Sequence, residues 1–273
     1  MRRSDLKSIG PVYKLYGLLK AATFPLRIRA AEARDQRAGA PADGIPLPPP
    51  KLRFRVHGSL DGSEFLAVGS QCARDIQALL RASGLELYDF ETVLDFGCGC
   101  ARVLRFFGDR PASCRLFGTD IDPELIAWCR EQPQLGQFDV NPHLPPTAYP
   151  DGFFDFIFSI SVFTHLDEDM QLAWLQELRR ITRPGGHVLV SLHSPATDAQ
   201  LTRAQRERMA SKGFLYVVGQ TGALKLDGLP DFYQSAFHSR EYVREVWGRT
   251  FEVVSHVDRG INAHQDAVLL RAR

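Results

Sequence analysis

The chain has no long apolar run, no Cys-x-x-Cys pair and no surplus of one charge. The first lack leaves no integral membrane span, which would need about 20 consecutive apolar residues. The five cysteines, Cys72, Cys98, Cys100, Cys114 and Cys129, have no histidine cluster beside them. Neither a zinc site nor a disulfide framework is indicated, and no metal is expected. Thirty-three Lys and Arg face 32 Asp and Glu, for a formal net charge of +1. No global field therefore draws the chain to DNA or RNA. The N-terminus is interrupted by Lys14 and Lys20 and lacks the apolar core of a signal peptide. The expected compartment is cytoplasmic. No internal repeat appears, and the only biased tract is rich in proline.

At 273 residues and 44% hydrophobic, the chain has material for one large domain plus an extension. Residues 1–40 carry nine Lys or Arg against three Asp or Glu, around a rough helical stripe from Leu6 to Leu19. Such a stripe suits a membrane surface or an acidic partner. Pro11 and Pro25 break it, which favours a helix packed on the body or on a second subunit, as in a homodimer formed through this segment. Residues 41–50 contain five prolines and read as a stiff linker. The expected division is therefore 1–50, a basic helical extension with its linker, and 51–273, the main domain. A helix is expected from Ser70, its cap, to Ser83, stopped by Gly84. Strands follow at about 92–96, 114–120, 137–141, 155–160 and 187–193, alternating with helices, which predicts a parallel sheet covered on both faces. Residues 194–237 do not fit the alternation. They hold a charged helix (about 197–211), an apolar stretch from Phe214 to Val218, and a loop with Tyr233 and Phe237. A helix from Ser239 and two strands, near 251–256 and 267–270, complete the chain.

The segment Val93-Leu94-Asp95-Phe96-Gly97-Cys98-Gly99-Cys100-Ala101-Arg102 ends an apolar run in a carboxylate, adds two glycines and opens a helical pattern. Glycines at such a turn let the backbone bend and a ligand approach. A dinucleotide site would need a third glycine where Arg102 stands, and Asp95 would repel a pyrophosphate. A carboxylate there suits a ligand with a cationic amine and no phosphate. A second acid, Asp120, ends the next apolar run.

These residues resemble the first motif of the class I S-adenosylmethionine (SAM)-dependent methyltransferases, with Ala101 in place of the usual third glycine. Phe117-Gly118-Thr119-Asp120-Ile121-Asp122-Pro123 is similar to the second motif. Tyr149 to Ser159 resembles the turn and fourth strand, and Leu178 to Val190 the helix, Pro-Gly-Gly turn and fifth strand. The resemblance covers roughly residues 90–193. It implies an α/β fold: a seven-stranded, mostly parallel, doubly wound sheet with an antiparallel last strand. The N-terminal helical extension and an inserted cap (194–237) after strand 5 would be additions to it. SAM would be the cofactor and S-adenosylhomocysteine the product. The cofactor residues implied are Asp95, Gly97, Gly99 and Asp120, with Asp120 on the ribose hydroxyls. Asn141 is preferred to Asp139 for the adenine.

Methyl transfer from a sulfonium needs alignment and exclusion of water, with a base only where the acceptor must lose a proton. Ser159-Ile160-Ser161-Val162 lacks the motifs of adenine-amino and cytosine-C5 methyltransferases, and lacks a strand-end carboxylate for Mg²⁺. The candidate bases are therefore histidines: His238 and His165 first, then His193 and His264. Tyr233, Phe237 and His264 are candidate substrate contacts. The expected function is methyl transfer to a hydroxyl or amine of a small-molecule acceptor, natural-product or sugar-like. A protein or RNA methyltransferase and a non-catalytic SAM-binding regulatory subunit are the alternatives.

Overall fold

A computed structural model of the chain describes residues 10–193, 201–219 and 233–273, with side chains from residue 22 onward. The described residues fall into two compact units, one of residues 10–65 with Gly219 and one of residues 66–218 with 233–273. No helix among them is long and apolar enough to cross a membrane.

In the first unit, α1 (Gly10–Ala38) runs straight through Pro25. The expected break at Pro11 and Pro25 does not occur. Pro11 sits in the first turn, where its missing N–H costs nothing, and Pro25 removes one internal bond. Nearby packing offsets that loss: Phe24 and Ile28 join Ala31, Phe54 and Leu60 in a small core. After the proline tract comes α2 (Pro50–His57). Its Arg53 is fully buried and ties the unit together. The guanidinium donates to the carbonyls of Pro48 (2.8 Å) and Leu60 (2.7 Å) and to Asp35 (2.7 Å).

The next helix, α3 (Gly62–Ala82), begins eight residues before the expected Ser70. Asp61 is the cap: its Oδ1 accepts from the backbone N–H of Ser63 (2.9 Å) and Glu64 (3.0 Å). Gly84, at φ +74°, closes the helix as expected.

The second unit is built on β1 (Thr92–Phe96), β2 (Arg115–Asp120), β3 (Gln137–Val140), β4 (Phe154–Ser159), β5 (Thr182–Leu192), β8 (Glu252–Ile261) and β9 (Gln265–Arg271). They form one sheet in the order β3-β2-β1-β4-β5-β9-β8. The first five are parallel, and β9 is antiparallel to both its neighbours. β1 and β4 are buried along their whole length, as the two-faced cover requires. The helices α4 (Pro123–Arg130), α5 (Glu168–Ile181) and α7 (Arg240–Val246) are capped by Asp122, Asp167 and Ser239. Trp174, Leu178 and Ile181 of α5 pack with Leu94, Phe154 and Ile157 of the sheet in the main core.

Two expectations on this sheet fail. No α-helix follows β1; turns lead into a single 3-10 turn, Leu104–Phe107. Ala101 takes a left-handed φ of +53°, so helical geometry cannot start at the glycines, and Gly108 and Pro111 close the segment ten residues later. β5 also starts five residues early, at Thr182, and passes through the Pro-Gly-Gly turn.

After β5 the chain forms α6 (Arg203–Lys212) and a two-stranded ribbon of β6 (Phe214–Val217) with β7 (Ser235–His238). The rest of the expected insertion, residues 194–200 and 220–232, lies outside the described residues. Phe237 and His238 stand in β7, not in a loop or at a helix start. This returning limb is stitched to the sheet. Ala236 N–H donates to the Thr164 carbonyl (2.8 Å), Gln234 N–H to that of His165 (3.2 Å), and His238 N–H to that of His193 (3.0 Å).

Candidate active site

A parallel sheet sends the C-terminal ends of its strands to one edge, and ligands bind there. At this edge stand Asp95 near the end of β1, Asp120 at the end of β2, Ser159 at the end of β4 and Leu192 at the end of β5. Because β9 runs the other way, its first residues reach the same edge, with Asp266 opposite Leu192.

The loop after β1 is held by β2. Gly97 N–H (2.8 Å) and Cys98 N–H (3.0 Å) both donate to the Thr119 carbonyl. Gly99 N–H donates to Asp120 Oδ2 (2.9 Å), while Asp122 N–H donates to Oδ1 (3.0 Å). Gly97 has φ +82°, and a Cβ on it would lie 2.2 Å from Cγ2 of Val162 in the loop after β4. Only glycine fits that approach. Ala101, in the expected third-glycine place, adopts the conformation a glycine would, at a cost of about 1 kcal/mol. The thiols of Cys98 and Cys129 meet the Gly99 carbonyl from beneath, at 3.6 and 3.5 Å. All five cysteines are free and buried.

The two acids lie in a low-dielectric setting. Burial pushes the Asp95 carboxyl well above its ordinary pKa; the charge of Asp120 adds to this, and Arg102 opposes it. Burial raises Asp120 to about 6 against the pull of the Asp122 and Gly99 N–H groups. A buried carboxylate of raised pKa gains most from a cation or from hydroxyl donors. An ammonium and a ribose diol supply these. Asn141 is buried at the end of the next strand, and its own side chain is engaged. Its Oδ1 accepts from the Thr119 hydroxyl (3.0 Å) and its amide donates to the Pro142 carbonyl (2.8 Å).

The two leading histidines separate. His238 is enclosed in the core among Phe214, Tyr242 and Trp247. The Gln171 amide nitrogen donates to the carbonyls of Phe163 (2.8 Å) and Leu166 (3.0 Å), so its oxygen faces His238 Nε2 at 2.8 Å. His238 therefore carries its proton on Nε2, and its basic Nδ1 is buried without a hydrogen-bond partner among the described residues. Burial lowers its pKa to about 3. His165 instead sits at the sheet edge, its ring stacked on Tyr233 at 3.8 Å. Its Nδ1 is 2.5 Å from the Gln234 carbonyl. A carbonyl only accepts, so the proton is on Nδ1 and Nε2 is the basic atom. Burial lowers its pKa to about 4.

His165, His193 and His264 form a row, with ring centroids 6.1 and 6.0 Å apart. Phe237 lies 5.5 Å from His193, while its other contacts are the small core of Leu201, Met209 and Leu215. Tyr233 is close enough to Asp120 and Arg102 to feel both charges, and burial is the main cause of its raised pKa. Tyr233, His165, His193 and His264 are thus gathered on the side of the edge reached by the returning limb. The sequence reading did not single out Arg102, which lies buried three residues beyond Gly99. It also missed Ser161, which has φ +62° and bonds Gln265, itself buried at the start of β9. Nothing in a local pattern signals that pair, because its members are 104 residues apart.

His256, Asp258 and Asp266 lie close enough together to hold a cation, but they are engaged with one another and with arginines. His256 Nε2 is 3.2 Å from Asp266, Arg259 N–H donates to Asp266 (2.9 Å), and Arg240 pairs with Asp258 at 2.6 Å.

Residues 94–190 match the family model of a methyltransferase domain. The tRNA (carboxymethyluridine(34)-5-O)-methyltransferase of Arabidopsis thaliana is 36% identical over 101 residues, 37% of this chain and 23% of that one. The ribosomal protein L11 methyltransferase of Burkholderia mallei is 32% identical over 101 residues, 37% of this chain and 31% of that one. The chain thus spans only about a quarter to a third of the length of these relatives. A SAM-dependent methyltransferase from Aquifex aeolicus shares the fold, with a TM-score of 0.53 and 17% identity over 82% of this chain and 98% of that one.

Proposed function

We propose that this chain, which carries a class I, Rossmann-like methyltransferase domain of the SAM-dependent kind, transfers the methyl of that cofactor to a hydroxyl or amine of a small-molecule acceptor. The observation that carries the reading is the pair of acids, Asp95 and Asp120, on neighbouring strands around a glycine loop whose Gly99 N–H holds Asp120. Asp95 binds the ammonium of the amino-acid end. Asp120 accepts from the ribose hydroxyls with the lone pairs its two backbone donors leave open. Gly97 and Gly99 let the backbone approach the ligand. Asn141, with its side chain engaged by Thr119 and Pro142, shapes the end of the adenine pocket rather than reading the base by its amide.

The cofactor supplies an already activated methyl; the protein aligns the acceptor and excludes water. The returning limb Tyr233–His238, bound to the loops after β4 and β5, supports an acceptor pocket walled by Tyr233, His165 and His264, with Phe237 behind it. His165 takes the proton of the acceptor at Nε2, with Nδ1–H anchored on Gln234. Burial lowers its pKa to about 4, which keeps Nε2 unprotonated at physiological pH and leaves the ring a weak base until acceptor and cofactor are bound. His238 stays a core histidine. The limb bound across the sheet edge and the near-zero net charge favour a small acceptor over RNA or protein.

The test is incubation with isotope-labelled SAM and a metabolite extract, with RNA and protein fractions in parallel, followed by mass spectrometry of labelled products. Label in the small-molecule fraction is expected. His165→Gln is expected to lower turnover roughly 100-fold or more while leaving S-adenosylhomocysteine binding in place. Label confined to RNA or protein would overturn the acceptor class. Cofactor binding with no label anywhere would favour a non-catalytic subunit.

A further inference from the structure

This inference rests on the acceptor reading above and concerns what the acceptor carries besides its nucleophile. Ser161 lies two residues beyond the end of β4, and Gln265 opens β9. Their side chains meet: Ser161 Oγ is 2.9 Å from Gln265 Nε2 and 3.1 Å from its Oε1. The meeting point lies between the two halves of the proposed reaction. On one side, the neighbouring Val162 reaches over the glycine loop, its Cγ2 2.2 Å from where a Cβ on Gly97 would stand. The Val162 carbonyl accepts from the His165 N–H (2.9 Å), so one turn joins that loop to the proposed base. On the other side, Gln265 directly follows His264, the end of the histidine row.

The backbone is bent to put Ser161 there. Its φ of +62° is left-handed, a conformation that a serine keeps only where its surroundings over-determine it. The restraint is visible: its N–H donates to the hydroxyl of the fully buried Ser191 (2.8 Å). The hydrogen bonds of the pair are then unsaturated, because one hydroxyl cannot use both ends of one amide well. Where Nε2 donates to Oγ, the serine hydrogen and the Oε1 lone pairs remain; where the hydroxyl donates to Oε1, the Oγ lone pairs and the amide hydrogens remain. Neither side chain has another hydrogen-bond partner among the described residues. Gln265 is only 8% exposed, so water reaches it poorly and unmet polar capacity there is costly. A ligand hydroxyl, which both donates and accepts, satisfies the pair in either state.

We infer that Ser161 and Gln265 bind a hydroxyl of the acceptor beside the atom that takes the methyl, and so select acceptors with two neighbouring polar groups, a nucleophile and a hydroxyl. The pair is a specificity device and moves no proton of the reaction.

The test starts from the small-molecule product labelled by isotopic SAM in a metabolite extract, its structure solved by mass spectrometry and NMR. A hydroxyl on the carbon next to the methylated position is expected. The unmethylated compound and its analogue lacking that hydroxyl are then assayed as substrates. Wild-type protein is expected to favour the full compound roughly 10- to 100-fold in kcat/KM. Ser161→Gly, which suits the left-handed backbone, and Gln265→Leu should each bring that ratio close to one. S-adenosylhomocysteine affinity, measured by calorimetry, should stay within about threefold in both. A merely structural contact would lower turnover on both compounds alike and leave the ratio in place. A product without the neighbouring hydroxyl, a wild-type ratio near one, or variants that keep the wild-type ratio overturn the inference. If one variant does not fold, the other decides; if neither folds, the product structure and the wild-type ratio decide. No label in any small molecule overturns the acceptor reading and this inference with it, whereas label on a small molecule lacking such a hydroxyl overturns only the role of the pair.

Discussion

Asp120 shows how much of this site is set by single residues. Its carboxyl is raised to about 6 by burial, yet the proposed cofactor site requires it ionised, to accept from two ribose hydroxyls. The sign follows. Below pH 6 the ligand-free protein carries a proton on Asp120 that binding must expel, so affinity falls as pH falls. The expected outcome is S-adenosylhomocysteine affinity that declines up to about tenfold per pH unit below 6, with proton release detectable by calorimetry in buffers of different ionisation enthalpy. Asp120→Asn should weaken binding roughly 10- to 100-fold at pH 7 and make that dependence shallower, leaving the part owed to Asp95, which burial also raises. A pH-independent wild-type affinity from 5 to 7 would remove Asp120 from the ligand. Both acids and both glycines were legible in the sequence, because each lies within a few residues of a strand end. The choice between His165 and His238 was not. That choice depends on which ring nitrogen Gln234 and Gln171 leave basic, and both partners are distant in sequence.

At the scale of elements, Gln171 near the start of α5 does more than its place in a helical pattern suggests. Its fully buried side chain ties the carbonyls of Phe163 and Leu166, in the loop after β4, to His238 in β7. One amide thus fixes the loop that carries Val162 over Gly97 and His165 beside the ribbon. Gln171→Ala leaves three buried polar groups without partners, at a cost of about 2–4 kcal/mol. Thermal unfolding should shift down by roughly 5–15 °C for a domain of this size. A shift under about 2 °C would mean that water or rearrangement replaces these bonds. The sequence placed most strands within two or three residues, because the central strands are buried on both faces and read as continuous apolar runs. It misjudged the segment after β1, where the left-handed Ala101 and the early Gly108 and Pro111 outweigh helical spacing. It also began α3 at Ser70, because a serine followed by an amphipathic run mimics a cap, whereas Asp61 caps a longer helix.

For the whole molecule, a net charge of +1 and buried site charges give little long-range electrostatics. Affinity for S-adenosylhomocysteine should change less than about threefold between about 0.05 and 0.5 M salt, measured by calorimetry, because screening acts weakly on enclosed pairs. A steep loss with salt would point to exposed charges as the grip, and the same steepness in RNA binding would favour the nucleic-acid alternative. The division of the chain belongs to this scale too. The proline tract wraps a fully buried arginine within a unit that continues to residue 65, so the linker is part of a folded body. The sequence by itself determined the sheet, its order of motifs and the two acids at the strand ends, since each is written in residues close together along the chain. Only the tertiary structure decided which histidine reaches the edge, where the returning limb is sewn, and how Ser161 meets Gln265. Those are meetings of residues tens of positions apart, settled by packing and by the demand that every buried polar group find a partner.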